Sequence, residues 1–161
     1  MKIAILSDSH DHVEHIERFV KKVGQLGITD ILHAGDYCSP FTIPLFEGLK
    51  LTGVFGNNDG DHFRLIRKFR EIDGQIHNEF HEFEVEEKRI ALYHGTRTAI
   101  TEALVLCGKY DLVISGHTHS VVQEIRGETL SLNPGSLHGF GGEATFAVYN
   151  TRNGEVGIIE V

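Results

Sequence analysis

Residues 3–11 read IAILSDSHD, four apolar residues that run directly into a polar stretch with two carboxylates and an imidazole. The short apolar run predicts a buried strand over residues 3–6. From Val13 onward the apolar residues recur at helical spacing, which predicts a helix with Asp11 or His12 near its N-cap. The order strand, polar loop, helix indicates the start of an α/β unit.

Four further apolar runs along the chain also end in polar loops. These predicted strands cover residues 31–34, 51–55, 89–93 and 112–115. They are followed, in order, by Gly35-Asp36, Gly56-Asn57-Asn58-Asp59-Gly60, His94-Gly95 and Gly116-His117-Thr118-His119. In open α/β sheets, ligands bind outside the carboxyl ends of the strands, so we expect the five loops to converge on one site.

The remaining segments complete an α/β interpretation. Helices are predicted at residues 61–70 and 98–107, and the alternation at 80–85 predicts a half-exposed strand. After Ser120 the pattern is all β, with strands predicted at 121–125, 129–132, 144–149 and 157–161. The length of 161 residues predicts one domain over residues 1–161.

Composition narrows the class of protein. A formal net charge of −8 argues against a protein that binds nucleic acid mainly by neutralising its phosphates. No stable nucleic-acid complex is therefore expected. No apolar run approaches the roughly 18 residues of a membrane helix. Cys38 and Cys107 belong to no paired motif, which favours reduced thiols and a cytoplasmic protein. A homo-oligomer stays open, since no interface is evident in the sequence.

Each loop taken singly has an ordinary explanation as a turn, a helix cap or a buried histidine. In extended backbone, Asp8 and His10 would point the same way, so both could bind one cation. His117 and His119, two imidazoles separated by one residue, are the strongest single indication of a metal site. The ordered set, with each member at a predicted strand end, favours a metal site. Its nitrogen and oxygen donors suit Mn²⁺, Fe²⁺, Zn²⁺, Co²⁺ or Ni²⁺ better than Ca²⁺ or Mg²⁺.

In order, these motifs resemble those of the calcineurin-like metallophosphoesterases. The early Ser-Asp-Ser-His-Asp and the late Asn133-Pro134-Gly135-Ser136 resemble the small prokaryotic phosphodiesterase subgroup in particular. The resemblance implies a two-sheet β-sandwich flanked by helices. It also implies two divalent cations, with Mn²⁺ or Ni²⁺ expected first and Asp36 as the bridging ligand. One ion would be held by Asp8, His10, Asp36 and His119, and the other by Asp36, Asn57, His94 and His117.

The implied reaction is hydrolysis of a small phosphodiester or nucleotide, in which a metal-held hydroxide attacks in line with the leaving group. The implied catalytic residues are Asp36, Asn57, Asn58 and His94. Many family members carry histidine at the position of Asn58, where it contacts phosphate and protonates the leaving group. Asparagine cannot deliver a proton at neutral pH, so we expect weaker catalysis on diesters with poor leaving groups. The role of Asp59 stays open.

Two other functions stay open. A protein-interaction scaffold on the same fold is one, because a eukaryotic retromer subunit resembles this subgroup and serves chiefly as a binding surface. The complete set of donors favours an enzyme over a scaffold. A metal-dependent amide hydrolase fits His117-Thr118-His119 but explains the Asp36 and Asn57 loops poorly.

The residues outside the ligand set have less specific expectations. His33 is expected inside a strand, and the segment from Asn133 to Ser136 is expected to form a tight turn that borders the site. His138 either lines the site or lies on the surface. Surface positions are expected for the others: His12, His15, His62, His77 and His81.

Overall fold

The computed structural model describes residues 1–161. The strands are β1 (Lys2–Leu6), β2 (Asp30–His33), β3 (Lys50–Val54), β4 (Gln75–His77), β5 (Phe80–Val85), β6 (Lys88–Tyr93), β7 (Leu112–Ile114), β8 (Val121–Arg126), β9 (Thr129–Pro134), β10 (Thr145–Asn150) and β11 (Val156–Glu160). The helices are α1 (Val13–Gln25), α2 (His62–Glu71) and α3 (Thr98–Leu106), with a 3₁₀ helix at Pro40–Phe46. Every predicted strand and helix is present.

The strands form two sheets that pack face to face. The first has the order β11-β10-β1-β2-β3-β4, in which β1 to β4 run parallel and β10 lies antiparallel on the other side of β1. The second has the order β5-β6-β7-β9-β8, in which β6, β7 and β9 run parallel. Parallel strands need crossovers, and the helices supply several of them.

The first strand shows how the layers are held together. Ala4 and Leu6 pack in the apolar cluster beneath the helices, whereas Ile3 and Ile5 pack in the cluster between the two sheets. Because side chains alternate along a strand, a strand buried on both faces is apolar throughout. On the outer face of the second sheet, Val105 of α3 packs in a third cluster. The predicted two-sheet sandwich flanked by helices is therefore confirmed.

The sequence interpretation missed two short elements and misplaced one turn. Strand β4 has only three residues, and the 3₁₀ helix contains Pro40 and Pro44, so neither shows a usable periodicity. The predicted turn at Asn133-Pro134 was wrong, because these residues close β9 and pair with the edge strand β8. No helix of the chain is long and apolar enough to cross a membrane.

Candidate metal centre

The five loops meet at the end of the sandwich where β1, β2, β3, β6 and β7 finish. Within the first sheet, the backbone N–H of Asp8 donates to Gly35 O at 3.0 Å. Within the second, Gly116 N–H donates to His94 O at 2.8 Å. The N–H of His117 crosses between the sheets to Asp8 Oδ2 at 3.0 Å. The two sheets are therefore joined at the predicted site itself.

The backbone at this site is unusual. Ten non-glycine residues of the chain have a left-handed φ, and half of them are predicted metal ligands. Each such conformation costs of the order of 1–3 kcal/mol in residues with a Cβ and persists only where the surroundings fix it. The ligand positions and their φ values are Asp8 (54°), His10 (41°), Asp36 (61°), His117 (66°) and His119 (57°).

Two carboxylates lie at the centre of the site, and both are buried. Asp36 is 1% exposed and accepts two hydrogen bonds from Asn58, from the backbone N to Oδ1 and from Nδ2 to Oδ2, each at 2.8 Å. Asp8 is fully buried, and its Oδ1 has no hydrogen-bond partner. That oxygen lies 3.2 Å from His119 Nε2. A buried carboxylate oxygen without a partner is the kind of atom that a cation satisfies.

The protonation of His94 follows from its contacts. Its Nδ1 lies 2.7 Å from Ala34 O, and a carbonyl oxygen only accepts, so Nδ1 carries the proton. Burial lowers the pKa of this ring, but Asp36 and Asp8 outweigh it and raise the pKa overall. Nε2 is therefore the position that takes up a proton, and in the neutral ring it carries a lone pair. It lies 3.1 Å from Asn57 Oδ1 and 3.3 Å from Asp36 Oδ2. Three electron-pair donors that face one another are repulsive unless a proton or a cation lies among them.

Two donor groups satisfy the distance requirement for a metal ion. Asp8, His10 and His119 offer ligand atoms within 4.8 Å of one another, and so do Asp8, Asp36 and His94. His10 Nε2 has no hydrogen-bond partner and lies 3.6 Å from Asp36 Oδ2. The mixture of imidazole and carboxylate donors, together with these unpartnered atoms, fits divalent transition metals.

The structure also places His117 and Asn57 beside these groups. The ring of His117 packs edge-on against His94 with centroids 5.3 Å apart, although it belongs to neither compact donor group. Asn57 is exposed, and its amide oxygen contacts His94. All seven predicted ligand residues therefore lie together, and five of them form two compact groups that share Asp8.

The charge state of the site favours cations. Burial raises the pKa of the Asp36 carboxyl, but the adjoining His94 and Asn58 outweigh it and hold the pKa well below its usual range. Burial acts in the same direction on Asp8, and its neighbours His10 and Ser7 again bring the net pKa below the ordinary value. Both carboxylates are thus ionised at neutral pH, side by side in a buried place.

Asp59, whose role the sequence left open, holds two of the loops in position. Its buried carboxylate accepts from the backbone N–H groups of Gly56 (2.6 Å), Asp36 (3.0 Å) and Cys38 (2.8 Å). It therefore ties the loop after β2 to the loop after β3. No local pattern signals this role, because the three partners become neighbours only in the fold.

Two residues that follow the ligands in the sequence, Asn133 and Ser136, hold the ligand loops in place by hydrogen bonds to backbone oxygens. Asn133 Nδ2 donates to Gly116 O at 2.7 Å and fixes the loop that carries the two histidines. Ser136 Oγ donates to Asp8 O at 3.1 Å. Outer contacts of this kind orient metal ligands.

Two glycines are required by close approach at the site. A Cβ at Gly56 would lie 2.1 Å from Asp36 Oδ1, and a Cβ at Gly116 would lie 2.6 Å from Asp8 Oδ2. Any side chain at these positions would displace a carboxylate. The Gly-Asn and Gly-His pairs of the sequence thus have a steric cause.

The other histidines lie beside the site, inside a strand, or in partly buried or exposed positions outside it. His138 lies beside the site, with its ring centroid 5.6 Å from that of His10, while His12 caps α1. His33 is buried and bonded to Ser9 Oγ at 3.0 Å, as expected for a histidine inside a strand. His77 and His81 are half-buried and stacked at 3.5 Å, and His12 and His15 are half-buried and stacked at 3.7 Å. The surface prediction was wrong for these two pairs, whereas His62 is exposed as expected.

Comparison with known proteins shows the family of the chain. Residues 1–154 match the calcineurin-like phosphoesterase superfamily domain. The chain is 33% identical over 159 residues to the phosphodiesterase MJ0936 of Methanocaldococcus jannaschii, covering 96% of both chains. It is 28% identical over 153 residues to the phosphodiesterase YfcE of Escherichia coli K12, covering 85% of this chain and 79% of YfcE.

Solved structures show the same fold. An archaeal phosphodiesterase structure superposes with a TM-score of 0.95 at 31% identity, covering 100% of both chains. Vps29 of Entamoeba histolytica superposes with a TM-score of 0.73 at 20% identity, covering 100% of this chain and 98% of Vps29. At that identity the second likeness concerns the fold alone.

Proposed function

The chain belongs to the calcineurin-like phosphoesterase superfamily, and on this premise we propose that it is a phosphodiesterase that works with divalent cations. The observation that carries the proposal is the convergence of two buried carboxylates and three imidazoles, with Asp8 Oδ1 and His10 Nε2 left without partners. The relatives MJ0936 and YfcE, both named phosphodiesterases, support a diester as the substrate.

The proposed ligand sets are those implied by the resemblance, with two cations, Mn²⁺ or Ni²⁺ first, and Asp36 shared between them. When bound, such ions make a water nucleophilic near neutral pH and neutralise charge on the phosphate oxygens. The chain itself holds the ligands rigid. Asn58 fixes both oxygens of Asp36, and the Ala34 carbonyl fixes the ring of His94.

Asn58 also bears on the choice of substrate. Its side-chain amide already donates to Asp36 at 2.8 Å, and an amide delivers no proton at neutral pH. We therefore expect the chain to favour diesters whose leaving group needs no protonation. The proposed substrate class is a small diester or nucleotide, since the family motifs recognise the phosphate group.

The test is hydrolysis of bis(p-nitrophenyl) phosphate by metal-stripped protein before and after addition of Mn²⁺, Ni²⁺ or Zn²⁺. We expect activity to return with metal in the natural chain and to stay absent in Asp8→Asn. Isothermal titration with the same ions gives the number bound. Folded protein that binds no ion contradicts the proposal. Protein that binds two ions yet hydrolyses no diester favours the scaffold alternative.

A further inference from the structure

A cavity of about 440 Å³ opens beside the candidate metal centre. His119, a proposed ligand, forms part of its wall, so the cavity is continuous with the centre. Its volume lies within the range of about 300–1,000 Å³ that small-molecule sites occupy. The side chains that line it include Thr118, His119, Ser120, Phe140, Glu143 and Thr145. We call this space the Phe140 cavity.

Phe140 is the large apolar side chain of this cavity that is free to meet a ligand. Its ring is 75% exposed and stands on a turn between Gly139 and Gly141, both with a left-handed φ. The ring of His138 connects it to the metal centre, with centroids 5.7 Å from Phe140 and 5.6 Å from His10. A series of aromatic rings therefore leads from the ligand set to the cavity.

Apart from Val121 and the glycines, the rest of the lining is polar and hydrogen-bonding. Thr118 and Ser120 supply hydroxyl groups, and Glu143 supplies an exposed carboxylate. Hydroxyls donate and accept, whereas an ionised carboxylate accepts only. The complementary ligand therefore has one flat aromatic ring and several hydroxyl donors.

We infer that the Phe140 cavity receives a nucleoside group of the diester, with the base stacked on Phe140 and the ribose hydroxyls bonded to Glu143. This inference rests on the proposed function, and it specifies the substrate class at the same site. Stacking on an aromatic ring accepts any base, and acidic side chains bond ribose hydroxyls in nucleotide-binding sites. Phe140 is thus a specificity-determining residue.

A second aromatic cavity near the site fits this role less well. It has about 450 Å³ and is lined by Phe55, His62 and Phe80 beside Gly56. The ring of Phe55 is already stacked on His62 at 4.0 Å, so that face is not free. None of its lining residues carries a hydroxyl group.

The test compares uridine 5′-monophosphate with methyl phosphate as ligands of the Mn²⁺-loaded protein by isothermal titration. We expect the natural chain to prefer the nucleotide and Phe140→Ala to reduce that preference about tenfold, the loss expected for one base–aromatic stack. Phe140→Trp keeps a flat ring and should retain the preference. Phe63→Ala, which removes an 89% exposed ring on α2, serves as the matched control.

A kinetic comparison uses uridine 5′-(p-nitrophenyl phosphate) and methyl p-nitrophenyl phosphate. The ratio of their kcat/KM values should fall in Phe140→Ala and not in Phe63→Ala. An unchanged preference in Phe140→Ala, or equal affinity of the natural chain for both phosphates, overturns the inference. Nucleotide preference in a protein that hydrolyses neither ester supports the subsite and contradicts the phosphodiesterase proposal.

Discussion

The two ends of the sandwich differ in how their polar groups are satisfied. The amino ends of the strands border the larger groove, about 990 Å³, in which Asp111 accepts from Arg89 N at 2.9 Å and lies 3.5 Å from Lys88. The carboxyl ends hold Asp8 and His10, each with an unpartnered buried atom. Cavity size therefore does not identify the end that carries the candidate metal centre. Unpartnered buried polar atoms on side chains that converge identify it better, because such atoms are costly unless a bound group satisfies them.

The largest expected effect tests this comparison directly. Asp36→Asn at the carboxyl end should lower metal-dependent hydrolysis of bis(p-nitrophenyl) phosphate by about 10³-fold or more, because a metal ion contributes several kcal/mol to the transition state. Asp111→Asn at the amino end should stay within about twofold of the natural chain, as expected for a residue whose role is structural. Steady-state kinetics with both variants measures this. Equal losses at the two ends would contradict it.

A gain of function at Asn58 is the second test. Asn58→His places a proton donor near the leaving group, so alkyl esters should react about 10²-fold faster, the lower end of general acid catalysis. Esters of p-nitrophenol should change little. Asn153→His, at an exposed residue of the amino-end groove, should alter neither rate. The measurement is the slope of log kcat against leaving-group pKa. An unchanged slope in Asn58→His would contradict the idea that Asn58 leaves the leaving group without a proton donor.

The two ends should also differ, by a smaller amount, in how acid pH changes the free energy of unfolding. Burial lowers the pKa of His33 from 6.5 to about 3, so the folded chain binds fewer protons there than the unfolded chain. Stability from this group therefore falls as the pH drops below about 6.5, by about 2 kcal/mol between pH 7 and pH 5. The pKa of Asp111 is lowered by its bond from the Arg89 amide, and that contribution is lost only at more acid pH.

Urea denaturation of metal-free protein at pH 7 and pH 5 measures the contribution of His33 to the free energy of unfolding. The natural chain should lose about 2 kcal/mol more than His33→Asn over that interval. Asp111→Asn should show the same loss as the natural chain. Identical pH dependence in His33→Asn and the natural chain would show that His33 is not the group responsible.

The smallest effect concerns the left-handed residues. His119→Gly at the site and Asp73→Gly at the amino end of β4 each relieve a positive φ, of 57° and 56°. Each should raise the stability of the metal-free protein by about 1 kcal/mol. The two variants should differ in function, since His119→Gly loses the proposed ligand and Asp73→Gly does not. Denaturation and kinetics together measure both parts. A loss of activity in Asp73→Gly would break the comparison.

The candidate site was largely predictable because its residues carry local signals. Apolar runs end at Leu6 and Ile114, and polar donors follow each of them, so strand ends and ligands appear together in the sequence. The role of Asp59 was not predictable, because its partners Asp36 and Gly56 meet it only through tertiary contact. The same holds for β10, whose place beside β1 depends on a pairing of distant residues that no local pattern records.

That pairing of β10 with β1 affects how the protein is made. Strand β1 leaves the ribosome well before its antiparallel neighbour, because residues 7–144 separate it from Thr145–Asn150. At synthesis rates of about 5–20 residues per second, one edge of this apolar strand stays unpaired for roughly 7–30 s. An unpaired apolar edge is a template for aggregation. The nascent chain therefore has a period of exposure to chaperones that ends only when β10 closes the sheet.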